Sequence, residues 1–124
     1  MRVLESATTL DLPDKHVWVA GDWHGNTSWV QRIMPALRRH DPSVRTLLHV
    51  GDFWMETAPV DYWARAAGIE RVLVTLGNHE PYDKYAPLLA LHPGSAVRIS
   101  DAVWLLPRPW RFNIGGRSFL SLGG

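Results

Sequence analysis

The chain has 124 residues, room for a single domain, and its 46% hydrophobic and 20% charged content implies a packed core rather than disorder. Thirteen basic against twelve acidic residues leave a net charge of +1, too balanced to hold nucleic acid or an anionic membrane by bulk charge. There is no cysteine, which excludes disulfides and thiolate metal sites.

Val3 and Leu4 suggest a short edge strand, and Asp11, Pro13, Asp14 and Lys15 form a turn-like lead into the first strong apolar run. The opening residues lack the apolar core of a signal peptide. No apolar run approaches the roughly 20 residues that span a bilayer, so a cytoplasmic location with no membrane partner is the expectation.

His16-Val17-Trp18-Val19-Ala20 predicts a buried strand ending in Gly21-Asp22-Trp23-His24-Gly25-Asn26. An aspartate and a histidine two residues apart in a glycine-flanked turn can aim an oxygen and a nitrogen at one spot. That donor pair suits a borderline transition metal better than magnesium alone. Val30, Ile33, Met34 and Leu37 fall at helical spacing and predict an amphipathic helix over 27–39, capped by Thr27 or Ser28 and kinked at Pro35. Thr46-Leu47-Leu48-His49-Val50 is a second strand, running into Gly51-Asp52. Pro59 suits the first turn of a helix whose apolar face, Val60, Trp63, Ala64 and Ala67, ends at Gly68.

The third strand, Arg71–Leu76, runs into Gly77-Asn78-His79-Glu80, and a third helix around 82–91 is interrupted by Pro87. Strand, helix, strand, helix, strand predicts an α/β fold with parallel pairing and right-handed crossovers. The rhythm then changes to short β-prone runs at 96–100, 103–106, 111–114 and 117–122, with Gly115-Gly116 as a hairpin signal, so the last quarter reads as mostly antiparallel.

Three strands thus end in glycine followed by a metal-ligand type. In an open α/β sheet, ligands bind outside the carboxyl ends of the strands, where these turns would converge. The ordered series Gly21-Asp22-Trp23-His24-Gly25, Gly51-Asp52 and Gly77-Asn78-His79-Glu80 resembles the calcineurin-like metallophosphoesterases over roughly residues 15 to 124. The resemblance implies half of that family's four-layer α/β/β/α sandwich, with a parallel β-α-β-α-β core. It also implies hydrolysis of phosphomonoesters or phosphodiesters by a metal-activated water. Asp22, His24 and Asp52 would bind the first metal, Asp52 bridging to a second that also takes Asn78. His79 would be catalytic, protonating or stabilising the leaving oxygen, with Glu80 orienting it. Manganese, iron, zinc or a similar divalent ion is the implied cofactor. Nucleic acid enters only as a substrate.

Other residues take ordinary readings. His16, His40, His49 and His92 read as strand, helix-end or surface histidines, and Trp23, Trp29 and Trp54 as core or rim. The chain also departs from the family. No histidine follows His92, so the downstream histidines that complete both metals are missing. Phe53-Trp54-Met55-Glu56 follows Asp52 where many members carry a phosphate-holding arginine. The expectation is a single truncated domain over 1–124 with weak occupancy by one metal or none. Its sheet would be left partly bare, inviting self-association or a partner chain. A non-catalytic interaction module is the alternative function.

Overall fold

Alternate residues of the central strands enter two different cores, and this divides the fold into layers. The computed structural model, described here for residues 1–123, runs β1 (Glu5–Ala7), β2 (Asp11–Leu12), β3 (Trp18–Ala20), α1 (Thr27–His40), β4 (Thr46–His49), α2 (Thr57–Ala66), β5 (Arg71–Thr75), α3 (Tyr82–Ala90), β6 (Ala96–Arg98), β7 (Val103–Leu106), β8 (Trp110–Ile114) and β9 (Arg117–Ser121). Six strands form one sheet in the order β1-β6-β7-β5-β4-β3, and β2-β8-β9 form a second. On one side of the large sheet, Leu47, Val72, Val74, Val103 and Leu105 pack with Val30 and Met34 of α1, Val60 and Ala64 of α2, and Tyr85 and Leu88 of α3. On the other side, Leu73, Trp104 and Leu106 pack against Trp110, Phe112 and Ile114 of β8.

The order is therefore helices, sheet, sheet: three layers of the α/β half-sandwich that the motif series implies. Fully burying each large apolar side chain contributes about 1.5–3 kcal/mol, so β5 and β7, buried on both faces, anchor the structure. β3, β4, β5 and β7 run parallel, so the loops that follow them open on one edge. The antiparallel expectation holds for β6 with β7 and for β8 with β9. β7 itself departs from it, because α3 and β6 form a crossover long enough to bring it back parallel to β5.

Local details also differ. The first edge strand lies at Glu5–Ala7 rather than Val3–Leu4, although the Leu4 amide still donates to the Arg98 carbonyl at 2.8 Å. Asp11, part of the expected turn-like lead, and Leu12 instead pair in parallel with Asn113 and Ile114 of β8. The α1 cap is Asn26, whose side-chain oxygen accepts the Trp29 amide at 3.0 Å, rather than Thr27 or Ser28. Neither Pro35 nor Pro87 ends its helix. Each removes one backbone bond, but the adjacent Met34 and Leu88 are held in the core, and tertiary packing outweighs the local cost. The sheet's second face is less bare than expected, because the β8–β9 hairpin and β2 cover it over β5, β6 and β7. Among the described residues the β3–β4 end stays open, with Val19 and Val50 65% and 59% exposed.

Candidate metal centre

The hydrogen bonding between β3 and β4 continues past both strand ends and zips two ligand-bearing loops together. The Asp22 amide donates to the Gly51 carbonyl at 2.9 Å, the His24 amide to Asp52 at 2.9 Å and the Gly25 amide to Phe53 at 3.1 Å. The third loop is tied in by its own backbone. The His79 amide donates to Asp52 Oδ1 at 2.9 Å, and His79 Nδ1 lies 3.2 Å from Asp52 Oδ2. These two bonds, the backbone one first, hold the Asp52 carboxyl below its usual pKa.

The glycines make this approach possible. A side-chain carbon on Gly77 would collide with Asp52 Oδ1, and one on Gly51 would come within 3.0 Å of the Gly77 Cα. Between the loops lies a cleft of about 220 Å3 lined by Asp22, Asp52, Asn78 and the glycines Gly21, Gly51 and Gly77.

All four residues with side chains and positive φ among those described lie here: Asp22 at 64°, His24 at 47°, Asp52 at 57° and Trp54 at 43°. Each left-handed non-glycine residue costs on the order of 1–3 kcal/mol and persists only where its surroundings over-determine it. Glu80 supplies much of that determination. Its buried carboxylate accepts the Phe53 amide at 3.1 Å with both oxygens, the Trp54 amide at 3.0 Å and the Gly77 amide at 3.0 Å. The expectation that Glu80 orients His79 is corrected, since its oxygens are committed to these amides and Asp52 holds the His79 ring.

His24, Asp52 and His79 each present one ligand atom, all within 4.8 Å of one another. His24 Nε2 is 2.6 Å from Asp22 Oδ1 and 3.6 Å from Asp52 Oδ2. Bonds of about 2.0–2.2 Å to a divalent ion place neighbouring ligand atoms roughly 3 Å apart, so mixed imidazole and carboxylate donors at these separations fit such an ion. The structure thus clusters the ligand atoms of His24, Asp52 and His79, sets Asp22 against His24, and lines the adjoining cleft with Asp22, Asp52 and Asn78. His79 stands among the candidate ligand atoms themselves, a placement its reading as a proton donor does not convey.

Behind this surface, His49 is fully buried. Its Nδ1 accepts the Gly51 amide at 3.2 Å, and its ring meets Trp23 and Phe53 edge-on at centroid distances of 4.7 and 5.1 Å. Burial pulls its pKa down to about 4, with opposing help to the charged form from Asp22 and Asp52. The sequence alone marks this residue as a plain strand histidine. Its place just ahead of Gly51-Asp52 was the available signal.

A larger cleft, about 480 Å3, lies at the opposite ends of the strands among Asp14, Lys15, His16, Arg45, Glu70 and Arg71. Its charges are largely spent on one another: Asp14 accepts from Thr46 at 2.8 Å and faces Arg71 at 3.5 Å, and Arg71 pairs with Glu70 at 2.9 Å. Size alone therefore does not locate the chemistry. No described helix is long and apolar enough to cross a membrane. A family model, that of the calcineurin-like phosphoesterases, matches residues 15–124. No curated protein and no solved structure is significantly similar to the chain.

Proposed function

We propose that this chain, which belongs to the calcineurin-like phosphoesterase family, hydrolyses phosphomonoesters or phosphodiesters with a divalent cation held by Asp22, His24, Asp52 and Asn78. The observation that supports this most is the meeting of three strand-end loops in one cluster of nitrogen and oxygen donors. When bound, the cation supplies Lewis acidity and an acidified water. The chain's own residues do the rest. Asp52 stays ionised through its bonds from His79, so one carboxylate serves the cation and orients the imidazole. With Nδ1 turned to Asp52, His79 leaves Nε2 on a side chain that is 60% exposed. When the ring carries both protons, Nε2 would give its proton to the leaving oxygen as the bond from phosphorus to that oxygen breaks and the bond to the attacking hydroxide forms, leaving neutral imidazole. The mixed imidazole and carboxylate donor set suits manganese, iron or zinc.

The test is turnover of p-nitrophenyl phosphate and bis-p-nitrophenyl phosphate with added manganese, alongside manganese binding by electron paramagnetic resonance. The reading expects metal-dependent hydrolysis, and Asp52→Asn abolishing both binding and turnover while the circular dichroism spectrum stays native. A wild-type chain that neither binds manganese nor turns over either ester refutes it.

One observation favours a second reading, that of an interaction module. Among the described residues β3 is an edge strand with free backbone groups, and Val19 on it and Val50 beside it are exposed. A second copy or a partner chain would cover this strip. Sedimentation of wild type against Val19→Lys decides whether the strip drives association.

A further inference from the structure

Phosphoesters are anions, yet the loops that converge at the metal centre, residues 21–26, 51–54 and 77–80, contain no lysine or arginine. The fold supplies a cation from elsewhere. Because β7 lies parallel to β5, the loop after it opens on the same edge as Gly77 and Asn78. Arg108 in that loop donates from Nη1 to the Leu76 carbonyl at 3.4 Å, one residue before the third ligand loop. Its guanidinium carbon stands 5.4 Å from the centre of the Tyr82 ring, and the Tyr82 hydroxyl donates to the Gly77 carbonyl. Burial raises the Tyr82 pKa, with Arg108 opposing the shift and Glu80 and Asp52 adding to it, so the phenol sits within the field of both the guanidinium and the candidate metal-ligand carboxylate.

The stem is held as well. A side-chain carbon on Gly123 would overlap Cδ of Arg108, so this arginine packs on bare backbone just beyond β9. Among the described residues, Arg65, Arg71 and Arg98 pair with carboxylates, whereas exposed Arg108 pairs with none.

We propose that Arg108 anchors the phosphoryl group of the substrate, binding its non-bridging oxygens and weighting the site towards phosphomonoesters; this rests on the hydrolase reading above. A guanidinium stays charged at any working pH, and its planar fork matches two phosphate oxygens. Among the described residues one of its five N–H groups is spent, on the Leu76 carbonyl, which leaves donors for the ligand. A monoester near neutral pH carries more negative charge than a diester, so it gains more from this cation.

The first experiment needs no turnover. Inorganic phosphate is titrated into the zinc-supplemented chain while the arginine Nε–Hε signals are followed by NMR. Saturable movement of the Arg108 signal is expected, with phosphate affinity lowered about tenfold or more in Arg108→Gln, partly restored in Arg108→Lys and unchanged in Arg117→Ala. Gln keeps most of the stem, and a thermal melt of each variant separates lost binding from lost folding.

The second experiment is kinetic. Arg108→Gln should lower kcat/KM for p-nitrophenyl phosphate by a larger factor than for bis-p-nitrophenyl phosphate. An Arg108 signal that does not move, or phosphate affinity within twofold of wild type in folded Arg108→Gln, overturns the proposal. Phosphate binding that depends on Arg108 in a chain without metal-dependent turnover keeps the anchor and removes the hydrolase reading. Turnover indifferent to Arg108→Gln does the reverse.

Discussion

Acid should weaken this fold through one histidine. His49 is 1% exposed, and its pKa falls from 6.5 to about 4 on folding, so the unfolded chain takes up its proton first as pH drops. The sign follows: its stabilising neutrality is intact above pH 6.5, erodes below that and is spent near pH 4. With 1.36 kcal/mol per pH unit, the loss is about 1 kcal/mol by pH 5.5 and about 2–3 kcal/mol by pH 4.5. That is a large share of the 5–15 kcal/mol typical of a domain. The comparison variant is His49→Phe, which keeps an aromatic ring against Trp23 and Phe53 but cannot be protonated. It gives up the acceptor for the Gly51 amide and also removes the unpartnered His49 Nε2, effects that offset to within about 1 kcal/mol at neutral pH. Urea unfolding of both chains at pH 7.5, 5.5 and 4.5 reads the difference. The gap should move in favour of the variant by about 2–3 kcal/mol on acidification. Parallel curves across that range would show that His49 is not buried in its neutral form.

Glu80→Ala leaves the Phe53, Trp54 and Gly77 amides without their shared acceptor and should cost about 3–5 kcal/mol in urea unfolding, with manganese affinity down at least about tenfold. A loss below 1 kcal/mol would mean that water replaces the carboxylate freely. Gly77→Ala puts a methyl group on Asp52 Oδ1, so manganese affinity by electron paramagnetic resonance should fall about 10- to 100-fold with about 1–3 kcal/mol of destabilisation. Unaltered binding would place Asp52 outside the metal site. Asn26→Ala removes the α1 cap and should lower Tm by about 4 °C, corresponding to about 1 kcal/mol, whereas Ser28→Ala leaves Tm unchanged. Equal effects of the two would return the cap to the helix's own first residues.

Much of this architecture is legible because its signals are local. Three apolar runs each followed by glycine and a donor residue announce strands with site-bearing turns, and the spacing of Val30, Ile33, Met34 and Leu37 announces α1. What stays hidden depends on distant pairing. Asp11 and Leu12 form a strand only because β8 lies beside them, with Asn113 and Ile114 as partners. The hairpin marked by Gly115-Gly116 is readable as a hairpin, but nothing near it states that Trp110 and Phe112 will roof the sheet over Leu73 and Trp104. Asn26 is obscured differently, since its place in the motif suggests a turn residue, while its side chain caps the helix that begins there.

The site shows why the remaining detail resists a local reading. Positive φ is normally the work of glycine, yet here it falls on Asp22, His24 and Asp52, types that tolerate it without requiring it, and on the bulky Trp54, which gives no warning of it. Those conformations hold only because the Asp22, His24 and Gly25 amides find carbonyls in the second loop and because Glu80 gathers amides from the second and third. Glu80 lies 27 positions from Phe53, so no window along the chain contains both ends of that bond. The strain also has a direction. Relaxing Asp22, His24 or Asp52 to ordinary backbone angles would swing its side chain away from the cluster, so the interactions that hold the loops are the same ones that keep the candidate ligands together. A metal centre built this way is a property of the whole sheet edge, and the motifs mark only where that edge bends.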